Sequence, residues 1–335
     1  MSHTLAARLA AFMESQEGTF NELALALFAY QYAQNAPYRR LCESYGASPE
    51  SVKWWQDIPT VPAQAFKVYD LSCVPIENTV AVFYSSGTTG QQASSHYFDA
   101  AALSLYETSL RRGFFQALPN RPAKVWALMP PPQEAIHSSL SHMLGTLGTD
   151  KFFWDTDFLL AQALDTLTEP VTLFGTAFAF VQLFDSTPQS WHLPSGSVVI
   201  ETGGFKGRTR EVPRDEFYTL LTERFGVSLG QCYSEYGMSE LASQFYGQGL
   251  DPVKRGPQWV RTRAIDPDTG SDARPGQPGL LRHYDLANLN SVLAVQTQDL
   301  GNITQDGFIL QGRASNAEVR GCSLTVEELW QSRLT

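Results

Sequence analysis

Three short runs hold residues with chemistry to offer. In the first, Tyr84-Ser-Ser-Gly-Thr-Thr-Gly-Gln, an apolar stretch from Val80 leads straight into small hydroxyl residues with Gly87 and Gly90 between them. In such a loop, backbone N–H groups and the hydroxyls of Ser85, Ser86, Thr88 and Thr89 can surround phosphate oxygens. It is not a GxxxxGK[ST] phosphate loop, and an ordinary Ser/Thr/Gly turn has the same composition. The second run is Tyr233-Ser-Glu-Tyr-Gly-Met-Ser-Glu-Leu. Here Tyr236 offers a flat face for a purine base, and Glu240 offers a hard oxygen for magnesium. Read alone, the same run is a loop with a buried tyrosine and a solvated glutamate. The third run is Gln298-Asp-Leu-Gly, followed by Gly307-Phe-Ile-Leu-Gln-Gly-Arg313. Asp299 can accept two ribose hydroxyls, and Arg313 can assist from the other side. Each dipeptide is also a common turn sequence.

These runs need elements to place them. From Thr79, apolar runs of strand length alternate with helical stretches: Val80 to Tyr84, Lys124 to Met129, Val171 to Gly175, Val198 to Glu201 and Val227 to Tyr233. Between them, Ala100 to Leu118 and Pro213 to Phe225 carry helical periodicity. Pro213 suits a first helical position, and Gly226 a helix end. The stretch Val171 to Phe184 reads as a buried strand, a turn and a helix. This alternation predicts an α/β architecture with layered sheets over residues 79–256. Residues 1–78 read as a helical N-terminal segment of the same domain, with Asn21 as an N-cap ahead of Leu23, Ala24, Leu27 and Phe28. The run Ile58-Pro-Thr-Val-Pro must be extended. Residues 257–335 read as a small β-rich subdomain. Its strand-like runs are Trp259 to Ile265, Gly279 to Tyr284, Ser291 to Gln296 and Gly307 to Leu310. They are followed by a short C-terminal helix that Thr325 can cap and Glu328 can box.

Bulk properties narrow the class. With 43% hydrophobic and 17% charged residues among 335, the chain is globular rather than disordered. A net charge of −10 argues against a nucleic-acid partner. No apolar run is long enough to span a membrane, and the N-terminus lacks a signal-peptide pattern. The cysteines Cys42, Cys73, Cys232 and Cys322 are scattered and form no CxxC pair, as expected of free thiols in a reducing cytoplasm. Cys232, inside a strand-like run, reads as core. His96, His137 and His142 show no metal spacing and read as structural histidines. The chain has no GxSxG elbow, which disfavours a hydrolase.

The order of SSGTTG, YGMSE, a lone Asp before a strand, and GR resembles the adenylate-forming superfamily of acyl-CoA synthetases. A narrower resemblance covers most of the chain. The runs IPTVPAQAFKVYDL, SSGTTG, VIETGGFKGRTREVPRDEFY, EYGMSELASQFYG and RGCSLTVEELW look like the acyl-protein synthetase (LuxE) family. The resemblance implies an adenylate-forming large N-terminal domain and a ligase that uses ATP and Mg2+ to activate a carboxylic acid, expected to be a fatty acid. It implies phosphate contacts for Ser86, Thr88 and Thr89, adenine stacking on Tyr236 within the Tyr236-Gly237 turn, and a magnesium or phosphate role for Glu240. It also implies ribose contacts for Asp299 and Arg313, and a nucleotide-pocket lining at Gly203 and Gly204.

The C-terminal lid domain of the wider superfamily, with its catalytic lysine, is expected to be absent, and Lys206 is the candidate replacement cation. Cys322 matches the family's acyl-accepting cysteine. A thiolate ahead of a capped helix and near Arg320 is physically suited to that role, although a free cysteine is also commonly a buried core residue. An acyl-accepting or reductase protein is the implied partner. Transfer to coenzyme A or a carrier protein, and a non-catalytic nucleotide-binding scaffold, are the other readings these residues leave open.

Overall fold

A computed structural model describes residues 2–15, 17–85, 93–154, 157–203 and 212–314. In chain order the helices α1 (Ser2–Ser15), α2 (Phe20–Gln34) and α3 (Ala36–Ser44) lead to β1 (Val61–Pro62), β2 (Ala81–Tyr84), β3 (Ser95–Phe98) and α4 (Ala100–Ala117). Then follow β4 (Val125–Leu128), α5 (Ser139–Thr146), β5 (Lys151–Phe152), α6 (Asp157–Asp165), β6 (Thr172–Thr176), α7 (Ala177–Ser186), β7 (Val198–Thr202) and α8 (Arg214–Phe225). The remaining strands are β8 (Cys232–Tyr236), β9 (Phe245–Gln248), β10 (Val253–Lys254), β11 (Val260–Ile265), β12 (Gly279–Asp285), β13 (Ala294–Ile303) and β14 (Phe308–Arg313).

The described residues divide into two compact units. The first draws on the described residues within 1–113, 238–243 and 256–314, the second on those within 114–237 and 244–255.

In the first unit, β11, β12, β13 and β14 form successive antiparallel pairs. The N-terminal helices belong here because their polar side chains end in the β12–β13 connection. Gln31, fully buried, donates to the Asn288 carbonyl at 2.7 Å and accepts from the Leu293 N–H at 2.8 Å. Asn35 caps α3 through the Tyr38 N–H and also donates to the Ser291 carbonyl. Each buried amide thereby satisfies loop groups that no ladder reaches. The extended run at Ile58 delivers β1, which pairs in parallel with β13 at Val61↔Val295. Pro62 is tolerated in that short strand because an edge position needs no second N–H.

A buried polar chain ties the Met238–Ser243 segment into this unit. Trp259 Nε1 donates to Ser109 Oγ at 2.8 Å and Ser243 Oγ at 3.0 Å, and Ser243 Oγ donates to Asp285 Oδ1 at 2.7 Å. Asp285 Oδ2 accepts the Ala242 N–H at 2.9 Å, and Oδ1 accepts the Ala287 N–H at 3.0 Å.

The second unit is a sheet in the order β5-β4-β6-β7-β8-β9. It is parallel except for β9, which runs antiparallel to β8. Its strands carry continuous apolar runs, as expected of parallel strands covered on both faces. Leu173, Val199, Phe180, Val181, Leu183 and Leu221 pack in one core between sheet and helices. The strand–turn–helix read at Val171 to Phe184 is β6 followed by α7, with Thr176 accepting the Ala179 N–H as N-cap.

Several boundaries differ from the sequence reading. Thr19, not Asn21, caps α2 and completes a capping box with Glu22. Asn21 instead accepts the Trp55 N–H at 2.8 Å and donates to the Lys53 carbonyl, a long-range use that local spacing does not reveal. Pro213 is the N-cap of α8 rather than its first helical residue. Val227 and Ser291 precede their strands, which begin at Cys232 and Ala294.

Asp285→Ala is expected to lower stability by about 2–3 kcal/mol, because the Ala242 N–H and the Ser243 hydroxyl lose their buried acceptor. Urea unfolding at fixed pH measures this, with a surface Asp306→Ala variant as reference. A loss no larger than the reference's would show that the chain tolerates that cavity and those orphaned donors.

Candidate functional site

In the first unit the hairpin β2–β3 brings the two sides of the SSGTTG loop together. Its register runs from Ala81↔Phe98 to Tyr84↔Ser95. Just beyond β2, the Ser85 N–H donates to the Ser94 carbonyl at 3.0 Å, and the Ser94 N–H donates to Ser85 Oγ at 2.9 Å. Ser85 therefore closes the neck of the loop. Ser86, Gly87, Thr88, Thr89 and Gly90 lie outside the described residues.

Glu240 of the second motif reaches the same neck. Ser94 Oγ, fully buried, donates to Glu240 Oε1 at 3.1 Å, and His96 Nε2 lies 2.9 Å from the same oxygen of Ser94. A hydroxyl has one proton. With that proton on the carboxylate, His96 Nε2 must carry hydrogen and donate to Ser94. The imidazole is neutral, since burial pushes its pKa down to about 3. Its ring stacks on Phe66 with centroids 5.1 Å apart. The Glu240 backbone is held from behind, where Asn288 Nδ2 donates to its carbonyl at 2.8 Å. Burial raises the Glu240 carboxyl pKa, opposed by its own backbone N–H, the Ser94 bond and the charges of Lys67 and Arg313.

The third motif lies in the same unit. Asp299 and Arg313 face each other directly across β13 and β14, with Arg313 Nε 3.3 Å from Asp299 Oδ1. The carboxylate side chain is mostly covered, at 18% exposure, while the guanidinium is 73% exposed. The acid is thus placed by the strand while the base reaches into solvent.

In the second unit, Gly203 and Tyr236 lie at the carboxyl ends of the neighbouring parallel strands β7 and β8, the edge where open α/β sheets bind ligands. Gly203 takes φ +68°, a left-handed turn that favours glycine. Tyr236 is half-buried, 5.9 Å from the Phe245 ring. Glu235 is buried, and its Oε2 accepts the Thr202 hydroxyl from the register partner on β7. A side chain at Gly237 would overlap the Glu235 carboxylate as it is placed here, so any other residue would have to displace that carboxylate. Burial pushes Glu235 up to about 7, against the Thr202 bond and the charge of Lys254. Gly204 and the candidate cation Lys206 lie outside the described residues, as does Cys322. Cys232 is buried in β8 as the sequence suggested, its thiol pushed up to about 12 by burial.

Sequence reasoning missed Ser94, Asp285 and Asn288; it read His96 as a structural histidine, and the ring is indeed buried, neutral and hydrogen-bonded. Ser94, immediately before β3, and His96 within it are alternate buried positions after the loop. That pattern could have flagged them, whereas nothing local marks Asp285 or Asn288.

Comparison with known proteins identifies the family and the fold. The family model described as acyl-protein synthetase, LuxE, matches residues 4–110 and 152–330. Two curated proteins, each called long-chain-fatty-acid–luciferin-component ligase, are similar along nearly the whole chain. The one from Vibrio harveyi is 22% identical over 346 residues, covering 96% of this chain and 90% of the relative. The one from Aliivibrio fischeri is 23% identical over 356 residues, covering 96% and 91%. Among solved structures, an open 2-hydroxyisobutyryl-CoA ligase in complex with 2-HIB-AMP and CoA gives a TM-score of 0.66 at 16% identity, over 88% of this chain and 70% of that one. ATP-bound MatB from Rhodopseudomonas palustris gives 0.53 at 16% identity, over 72% and 49%, so the match spans about half of MatB. At these identities the likeness is one of fold, that of adenylate-forming enzymes. No helix among the described residues is long and apolar enough to cross a membrane.

The buried acids predict a pH dependence of stability. Glu235 and Asp285, the latter pushed up to about 6 by burial, hold their protons to higher pH when folded than when unfolded. The stability these two acids contribute is full below the ordinary carboxylate range and is lost as pH rises through about 6 to 7, while the buried neutral His96 and His283, both held down to about 3, act in the opposite direction below the ordinary histidine value. The stability difference in urea between wild type and Glu235→Gln is expected to shift against the wild type from pH 5.5 to pH 8, because the contributions of His96, His283 and Asp285 are common to both proteins. A difference between the two proteins that stays constant over this interval would contradict the assignment.

Proposed function

The chain belongs to the acyl-protein synthetase (LuxE) family, and from that footing we propose that it uses ATP to activate a long-chain fatty acid and passes the acyl group to a protein cysteine thiol. The observation that carries this reading is the Ser94–Glu240 hydrogen bond at the neck closed by Ser85, which joins the SSGTTG and YGMSE motifs in one place.

In the first step a carboxylate oxygen of the acid attacks the α-phosphorus of ATP, and pyrophosphate leaves. Ser85, Ser86, Thr88 and Thr89, with the N–H groups of Gly87 and Gly90, bind the triphosphate. Gly203 and Gly204 line the nucleotide pocket, Tyr236 beside Gly237 stacks on adenine, and Asp299 accepts the ribose hydroxyls with Arg313 assisting. Lys206 meets the charge that builds on the α-phosphate. Glu240 is the residue to hold Mg2+. Among the described residues no group of three or more metal-binding side chains converges. A single carboxylate completed by phosphate oxygens and water is the donor set that suits this ion. Bound magnesium would offset the negative charge of the phosphates.

In the second step the Cys322 thiolate attacks the acyl carbonyl carbon of the adenylate, AMP leaves, and a thioester remains. A thioester keeps the acyl group reactive toward a later acceptor, which makes an acyl-accepting or reductase protein the fitting partner.

Acid-dependent pyrophosphate release is the first measurement. Replacing both Thr88 and Thr89 by Ala is expected to lower it by about ten-fold or more, since each charge-assisted bond contributes about 1.5–3 kcal/mol. Lys206→Ala should reduce turnover far more than ATP affinity, the mark of a transition-state contact. Normal turnover with poor affinity would instead assign it to ground-state binding.

Intact-protein mass then tests the thiol step. Wild type should gain one acyl group that neutral hydroxylamine removes. Cys322→Ser should still release pyrophosphate but carry no such label. A wild type that acylates free coenzyme A as well as Cys322→Ser does, and is never labelled itself, would replace this reading with an acyl-CoA ligase.

A further inference from the structure

Ser94 combines bonds that no motif explains. Its backbone N–H and carbonyl both pair with Ser85, so its position follows the neck of the 86–92 loop. Its side chain bonds Glu240 Oε1 at 3.1 Å and His96 Nε2 at 2.9 Å. All three side chains are buried, with Ser94 at 0%, His96 at 4% and Glu240 at 7% exposure. His96 cannot drift, because Phe66 stacks on it. The Glu240 main chain cannot drift either, because Asn288 holds its carbonyl and Asp285 holds the following Ala242 N–H and Ser243 hydroxyl. The freedom left to Glu240 is the torsion of its own long side chain.

We propose that Ser94 is a positioning residue that locks the Glu240 carboxylate beside Ser85, so that the carboxylate meets ATP and its magnesium already oriented. His96 backs it by donating to the hydroxyl and directing the Ser94 proton onto the carboxylate. The role rests on the adenylation reading of this site and adds a link to it. A hydroxyl that only filled space would need neither the carboxylate on one side nor the imidazole on the other. A buried network with each member satisfied is rigid, and a rigid carboxylate needs no reorganisation when the ligand binds. Removing the hydroxyl leaves the loop's backbone pairs in place but frees the carboxylate to turn.

The test is a double-mutant cycle on the full chain between Ser94→Ala and Glu240→Ala, with thermal unfolding used to establish that each variant is folded. Two quantities are read: the ATP dissociation constant by calorimetry with magnesium and no acid, and the rate of acid-dependent pyrophosphate release. Ser94→Ala is expected to weaken binding and slow release by about ten-fold each. In the Glu240→Ala background it should change neither. Ser94→Cys, close in volume but a weaker donor, should fall between, and it carries the test if Ser94→Ala does not fold.

Wild-type values in Ser94→Ala or Ser94→Cys overturn the proposal. So does an effect of Ser94→Ala equally large without Glu240, which would confine Ser94 to closing the loop. A wild type that binds ATP but activates no acid overturns the adenylation reading while the calorimetric cycle still decides the link. A wild type that binds no ATP overturns both.

Discussion

The placement of Glu240 depends on a buried carboxylate that the chemistry does not use. Asp285 accepts the Ala242 and Ala287 N–H groups and the Ser243 hydroxyl, and through Ser243 it is connected to the Trp259 indole. A carboxylate taken out of water is costly unless its lone pairs are filled, so this group tolerates one arrangement of the surrounding chain and penalises others. The arrangement it selects orients the Met238–Ser243 segment. Asn288, three residues along from Asp285, adds the bond to the Glu240 carbonyl. One irregular connection of the β-rich sheet thereby determines where a residue of the YGMSE motif sits.

The same connection anchors the N-terminal helices. Gln31 and Asn35 spend their amides on Asn288, Leu293 and Ser291. Loop groups that would be orphaned in the core are satisfied from α2 and the cap of α3, which is why a helical segment at one end of the chain belongs to the same compact unit as strands near the other. The second unit follows a different rule. Its parallel strands bury apolar runs on both faces, and its polar residues gather at the carboxyl ends of β7 and β8, where Thr202 and Glu235 pair across the ladder. There Gly237 leaves the room that the Glu235 carboxylate occupies.

Local pattern carried the fold a long way. The β6–α7 unit, the helices α4 and α8, and the β-rich texture after Pro257 follow from periodicity and from glycine and proline placement. The errors lie where a residue has both a local and a distant use. Asn21 has the composition of an N-cap but serves Trp55 and Lys53, and Thr19 takes the cap because Glu22 completes its box. The strand starts lie later than Val227 and Ser291 because apolar residues ahead of them, Val227 in one case and Val292 and Leu293 in the other, are buried without joining a ladder.

For the site, the sequence by itself determined the chemical inventory: hydroxyls and glycines in one run, Tyr236 and Glu240 in another, Asp299 and Arg313 in a third. Those identities depend on residue type and short spacing, which a linear reading sees. The β13–β14 register then places Asp299 opposite Arg313, and a strand pairing can be set only by the fold. Tertiary structure alone decided that Ser94 joins the first run to Glu240, that His96 belongs to that link, and that Asp285 and Asn288 hold it. The physical reason is that a hydrogen bond between residues 146 positions apart leaves no trace in spacing. A buried polar side chain reveals its purpose only when the donor or acceptor that offsets its lost hydration is in view.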